Sequence, residues 1–187
     1  MVVGVLALQG AFREHIIMLS NIGVITKELR QLSDCENIDA LVIPGGESTT
    51  MGKLMSEGGM LPLLKKRIEN GMPVYGSCAG LILLCKEIEQ FNQPSLAVLD
   101  ATVRRNAFGR QVDSFEADII CKAVGEKPFP AVFIRAPFLT KVSSNVEVLA
   151  TVNNQPVAVK QGNILATSFH PELTKDERIH RYFLSFT

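Results

Sequence analysis

The chain has no tryptophan, two tyrosines and only 6% aromatic residues over 187 positions. Nowhere do basic residues cluster with aromatics between them, and Lys plus Arg (19) equals Asp plus Glu (19). Without excess positive charge or stacking side chains there is no footprint for a nucleic acid or an anionic membrane surface. Uninterrupted apolar runs are far shorter than the ~20 residues of a spanning helix, so no membrane association is expected. The opening residues, Met1-Val2-Val3-Gly4-Val5, read as a strand and not as a basic, cleavable leader, and a cytoplasmic protein is the expectation. Four cysteines at scattered spacing, with no Cys-x-x-Cys pair, point to free thiols in a reducing compartment. Three dispersed histidines give no metal-ligand pattern. No linker, low-complexity tract or repeat interrupts the chain. Residues 1–187 are therefore expected to form one domain, long enough to bury a core without disulfide or metal.

What the chain does have is a hydrophobic fraction of 47% and one stretch around which the rest is organised, Met72 to Glu89. Pro73-Val74-Tyr75 reads as a short strand. Leu81, Ile82, Leu84, Cys85 and Ile88 recur at helical spacing. Between them stands Gly76-Ser77-Cys78-Ala79-Gly80, the small-x-nucleophile-x-small pattern of a nucleophile elbow, with sulfur as the nucleophile. Such a turn pushes the Cys78 sulfur out beyond a strand end and sets it at a helix N-terminus, where thiolate is favoured. Cys85 fits the ordinary alternative of a buried, inert thiol, and Cys35 and Cys121 stand in no reactive context.

Taken in order, the continuous apolar run Val2 to Leu8 predicts a strand covered on both faces, ended by Gln9-Gly10. A helix follows over Phe12 to Ser20; its His15 reads as a polar surface or packing residue. Strands are predicted at Val24-Ile25-Thr26 and Asp39 to Ile43. The second stops at Pro44-Gly45-Gly46-Glu47-Ser48-Thr49-Thr50, which is either a ligand-facing backbone loop or a turn capped by Ser48 or Thr49. Helical patterns run from Met51 to Met55 and from Leu61 to Asn70. This β-α-β-β-α-β-α order predicts an α/β fold: a doubly wound, flavodoxin-like, mostly parallel sheet with helices on both faces. Ligands of such sheets bind beyond the strand carboxyl ends, so Gln9-Gly10, Gly45-Gly46 and Cys78 should gather at one edge.

From Gln93 the pattern becomes an additional β-rich excursion. Short strands are predicted at Leu96 to Val98, Ala101 to Val103, Ser114 to Ile120 and Ala131 to Ile134. The polar loop Arg104 to Arg110 lies among them. Strands at Val146 to Val152, Pro156 to Lys160 and Ile164 to Phe169 are separated by turns at Asn153-Asn154 and Gln161-Gly162-Asn163. A last helix is expected over Lys175 to Phe186. Before it stands His170-Pro171-Glu172. On extended backbone, residues two apart project to one side, so His170 and Glu172 can act together as base and orienting carboxylate for Cys78.

The elbow and the late His-Pro-Glu resemble the class I, triad-type glutamine amidotransferases. The segments LALQGAFREH, PGGESTTM, GSCAGLILL, RRNAFGRQVDSFEAD, FIRAP and SFHPELT extend the resemblance along nearly the whole chain. They resemble one subfamily, the glutaminase subunits of pyridoxal 5'-phosphate synthase. Ser77 stands where that family usually has threonine, and Phe12 replaces a smaller apolar residue. The resemblance implies hydrolysis of L-glutamine to L-glutamate and ammonia through a Cys78 thioester, with catalysis by Cys78, His170 and Glu172. It implies an oxyanion hole from Ala79 and Gly46, and glutamine held by Gly46, Glu47, Ser48, Arg105, Ile134 and Arg135. Arg104 is taken as a solvated neighbour of Arg105. No cofactor and no metal are implied. The chain shows no phosphate-binding P-loop and no Schiff-base lysine in a recognisable setting. The implied partner is therefore a barrel-type synthase subunit that receives the ammonia. The alternatives are a glutaminase subunit serving another acceptor, a Cys hydrolase of the same fold, which would lack the late His-x-Glu, or a non-catalytic regulatory subunit of the fold.

Overall fold

Apolar runs and helical stripes alternate through the first half of the chain, and the computed structural model, which describes residues 1–105 and 114–187, turns them into alternating layers. The elements are β1 (Val2–Leu6), α1 (Phe12–Asn21), β2 (Ile25–Leu29), β3 (Ala40–Ile43), α2 (Ser48–Glu57), α3 (Met60–Glu69), β4 (Val74–Ser77) and α4 (Ala79–Leu84). The second half adds β5 (Cys85–Ile88), β6 (Leu99–Arg104), β7 (Ser114–Ile119), β8 (Phe129–Ile134) and β9 (Phe138–Val142). It ends with β10 (Glu147–Val152), β11 (Gln155–Gln161), β12 (Ile164–Thr167) and α5 (Arg178–Leu184). Residues 106–113, which include all but the first two residues of the predicted polar loop Arg104 to Arg110, lie outside the described residues.

Seven strands form the central sheet in the order β10-β11-β12-β4-β3-β1-β2. The five from β12 to β2 are parallel, and β11 and β10 are appended antiparallel. Counting β12 as the fifth parallel strand, the order is 2-1-3-4-5, the flavodoxin-like winding that the element order predicts. β1 and β3 pair directly, so successive connections leave toward opposite faces there, and a crevice opens beyond their carboxyl ends.

Each strand buries alternate residues on opposite faces, which produces two cores. On one face Leu41, Ile43 and Val74 meet Met51, Met55, Leu64 and Ile68 of α2 and α3. On the other, Val3, Val5, Val42 and Tyr75 meet Leu19 of α1 and Ile179 and Phe183 of α5. The excursion forms two small sheets, β5-β6-β9 and β7-β8. Among the described residues no helix is long and apolar enough to cross a membrane.

Three elements differ from the pattern read along the chain. The helix after the elbow ends at Leu84, not near Ile88. The carbonyls of Leu83 and Leu84 accept from the N–H groups of Leu96, Ala97 and Val98, and Cys85 onward turns extended to pair with β6. Residues 96–98, predicted as a strand, are the segment that makes those bonds, and the strand itself starts at Leu99. β9, unforeseen, is held by antiparallel pairing with β6.

Candidate active site

Cys78 sits between β4 and α4 with φ 49° and ψ −99°, a strained conformation for a residue with a side chain. The strain is held by tight packing around it. The Cys78 N–H donates to the Thr167 carbonyl at the end of β12, 2.8 Å away. A Cβ on Gly80 would collide with the Ile43 carbonyl, and one on Gly76 would meet the Gly80 backbone. The two elbow glycines are thus required by close approach of β3, β4 and α4.

The crevice beyond β1, β3, β4 and β12 is a cavity of about 430 Å³. It collects Gln9 and Gly10 from the loop after β1, Gly45 to Ser48 from the loop after β3, Cys78, and His170. Arg105, Ile134 and Arg135 also line it, and so does exposed Leu173 at its rim. Of the catalytic, oxyanion and glutamine-binding residues that the resemblance implies, only Ala79 and Glu172 lie off the wall. Ala79 is buried at the first position of α4 beside Cys78, where a backbone N–H has no intrahelical acceptor. Glu172 is buried behind His170.

His170 joins the two halves of the site. Its ring shares the cavity wall with the Cys78 thiol, and its Nδ1 lies 2.7 Å from Glu172 Oε1. Its backbone N–H donates to Val132 of β8 at 2.8 Å, which fixes the start of the segment. The His–Glu contact does not come from an extended backbone. Pro171–Leu173 is a 3-10 turn, and the carboxylate folds back onto the ring. Burial opposes a charge on His170, but the bonds to Cys78 and Glu172 outweigh it and raise its pKa to about 10. Burial likewise pushes Glu172 upward, but the His15 and His170 rings beside it hold it below the ordinary carboxylate range. An ionised carboxylate can only accept, so it takes the Nδ1–H of His170 and leaves Nε2 for the sulfur.

The second wall is electrostatic. Glu47, not Ser48 or Thr49, caps α2: its carboxylate accepts from the N–H groups of Thr49 (3.2 Å) and Thr50 (2.7 Å). Burial opposes ionisation, but those bonds together outweigh it and lower its pKa to about 2. Arg105 reaches Glu47 at 3.0 Å and Thr49 Oγ1 at 3.1 Å, and its guanidinium stacks over Phe91 with a separation of 4.4 Å. The side chain is therefore pre-set at the cavity mouth with donors to spare. Ser48 is buried and its hydroxyl donates to Gln93, so it offers the cavity its backbone. Arg104 turns outward and pairs with Glu89 at 2.7 Å. Arg135 adopts a left-handed φ of 45° after β8, and the Ile134 carbonyl before it lies 3.9 Å from the Cys78 sulfur.

Two site neighbours escaped the sequence reading. His15, read as a surface or packing residue, has no exposed surface and contacts Ser77 and His180; His180 was not singled out at all. The one available signal was scarcity: these two and His170 are the only histidines in the chain.

A model of the SNO glutamine amidotransferase family matches residues 5–187. The chain is 54% identical over 182 residues to the pyridoxal 5'-phosphate synthase subunit PdxT of Moorella thermoacetica, with 97% of each chain covered. It is also 54% identical over 185 residues to that of Thermus thermophilus, covering 98% of this chain and 96% of the other. Among solved structures, a crystal structure of a glutamine amidotransferase superposes with a TM-score of 0.95 at 52% identity, covering 100% and 98% of the two chains. The PurLQS structure from Thermotoga maritima, at 14% identity and a TM-score of 0.73, shares the fold.

Proposed function

The chain belongs to the SNO glutamine amidotransferase family, and on that premise we propose that residues 1–187 form one glutaminase domain that hydrolyses L-glutamine to L-glutamate and ammonia. The ammonia is passed to a barrel-type synthase subunit that makes pyridoxal 5'-phosphate, in keeping with the names of its relatives. The observation that carries the reading is the position of His170, which lines the same cavity as Cys78 and is hydrogen-bonded to Glu172 behind it.

In this reading Arg105 takes the α-carboxylate of glutamine, a match of guanidinium to carboxylate geometry, and ionised Glu47 faces the α-ammonium group. The side-chain amide then lies over Cys78. With the thiol proton already on His170, in keeping with its raised pKa, the sulfur attacks the amide carbon as thiolate. The oxygen becomes an oxyanion stabilised by the Ala79 N–H and a backbone N–H of the Gly45-Gly46 loop. Collapse expels ammonia with the proton returned by His170 and leaves a glutamyl thioester. His170 then takes a proton from water, the resulting hydroxide attacks the thioester carbon, and Cys78 leaves as the thiolate. Glu172 accepts the Nδ1–H throughout and stabilises the imidazolium without itself taking the proton.

The test is steady-state ammonia release from glutamine by the purified chain, alone and with a synthase subunit. Turnover that depends on Cys78 is expected. Ammonia release unaffected by Cys78→Ala would overturn the reading.

A further inference from the structure

All three histidines of the chain meet in one buried cluster. His15 of α1 and His180 of α5 have no exposed surface, and Nδ1 of His15 lies 2.9 Å from Nε2 of His180. The other edge of the His15 ring faces Ser77 Oγ at 3.0 Å and Glu172 Oε2 at 3.4 Å. Tyr75 of β4 packs edge-on against both rings, with centroids 5.7 Å away. The titratable groups around His15 are thus Tyr75, Glu172 and His170, His180, and Glu14 on its own helix.

Proton placement in this cluster has one consistent solution. Glu172 is an acceptor, and its Oε1 is already taken by His170. Suppose His15 carried its proton on Nδ1. Its Nε2 lone pair would then face the carboxylate, and His180 would accept at Nε2 and hold an N–H at Nδ1. Among the described residues that nitrogen has no hydrogen-bond partner. A buried N–H with no acceptor is the arrangement native structures avoid. With the proton on Nε2 instead, His15 donates toward Ser77 and Glu172, and its Nδ1 accepts from the Nε2–H of His180. Only a bare lone pair is left at His180 Nδ1. The Ser77 hydroxyl is then free to donate to Glu172 Oε1, 3.5 Å away.

Glu172 needs such a hold. It projects from a short 3-10 turn on a side chain with several free torsions, and among the described residues Oε2 has no hydrogen-bond partner, while His15 Nε2 lies 3.4 Å from it. We propose that His15 is a positioning residue: its Nε2–H, in the tautomer set by His180, holds the Glu172 carboxylate in the orientation that presents its other oxygen to His170. The proposal rests on reading Cys78, His170 and Glu172 as the hydrolytic group. His15 touches neither the cavity nor the substrate positions, so its removal acts on the chemical step and not on glutamine binding.

The experiment compares wild-type chain, His15→Leu and His15→Gln, each assayed for ammonia release with the synthase subunit and checked for folding by circular dichroism. His15→Leu is expected to lose about ten- to a hundredfold in kcat, the range found when the hydrogen-bond partner that orients a metal-ligating side chain is removed, with KM unchanged. His15→Gln, whose amide can set an N–H near the Nε2 position, restores most of it. Long-range 1H–15N spectra of the wild-type chain are expected to show His15 protonated at Nε2. A folded His15→Leu with wild-type kcat overturns the proposal, as does His15→Gln no better than His15→Leu. If His15→Leu does not fold, the tautomer decides alone. Wild-type chain that releases no ammonia refutes the glutaminase reading, whereas an Nδ1 proton on His15 refutes this inference whatever the turnover.

Discussion

The carbonyl oxygen of Gly45 accepts a hydrogen bond from the N–H of Ala11 at 2.9 Å, so the loop after β1 clasps the loop after β3. On the other side Gln9 Oε1 accepts the Glu47 N–H at 2.6 Å. In a trans peptide the N–H points opposite to the carbonyl, so the direction of the Gly46 N–H is set by the Ala11 bond. Re-aiming that donor at an oxyanion requires breaking the bond.

A slow isolated chain is the prediction if the clasped peptide holds the Gly46 N–H away from the oxyanion. One missing oxyanion donor costs roughly 2.7–4 kcal/mol, a hundred- to a thousandfold in rate. Contacts from the synthase that favour the rotated peptide would restore it by population shift. Ammonia release is expected to rise by about that factor with saturating synthase; equal rates with and without it would contradict the gating. Gly46→Ala should bind the synthase yet respond weakly, because its Cβ would collide with the Gln9 side-chain oxygen.

A glutamine-mimicking electrophile should label Cys78 before the other three cysteines. Cys78 is 7% exposed and lines the cavity, whereas Cys35, Cys85 and Cys121 are at 0%. Burial also pushes the thiols of Cys35, Cys85 and Cys121 up, away from the reactive thiolate. Peptide mapping of the adduct checks the order; predominant modification of Cys85 would reverse it.

His170→Asn should lower turnover by several orders of magnitude, since His170 shares the cavity with Cys78 and carries the bond to Glu172. Glu172→Gln should cost less, because Glu172 orients the ring and takes no proton. Single-turnover rates on the two variants give the ranking, and a Glu172→Gln variant at wild-type rate would remove Glu172 from the site.

Stability should fall on mild acidification because of the buried histidines. Burial, reinforced by His15, holds His180 at about 3 against an ordinary 6.5, and burial also lowers His15. Below pH 6.5 the unfolded chain therefore binds more protons than the folded one. Each histidine then removes up to ~1.4 kcal/mol per pH unit as pH falls toward its folded value. His170 has the opposite sign. Raised to about 10, its contribution is fully present below 6.5 and is lost as pH rises through 10, so it takes no part in the acid loss. Glu47, at about 2 against 4.5, begins to matter only below pH 4.5. Urea midpoints between pH 7 and 5 should drop for the wild-type chain and drop less for His180→Phe. A flat wild-type profile over that window would show that neither ring resists protonation.

The sequence by itself determined the strands of the parallel sheet, the elbow at Cys78, the Gly45-Gly46 loop and the proximity of His170 and Glu172. Each is written in a few adjacent residues: an apolar run for a strand covered on both faces, glycines flanking a nucleophile, a proline between two catalytic side-chain types. Tertiary structure decided where a local pattern left a partner open. The stripe from Leu81 to Ile88 reads as one helix, yet distant amides capture the carbonyls of Leu83 and Leu84 and end it. The His-Pro-Glu contact forms through a 3-10 turn because β8 holds His170 by its backbone. His15 carries no local mark at all. It is buried and paired because α1 and α5 pack on the same face of β4, bringing His180, Ser77 and Glu172 to one ring from three separate parts of the chain. Backbone conformation follows short-range pattern, whereas the partner of a buried ring nitrogen or a freed carbonyl depends on which remote segment arrives there.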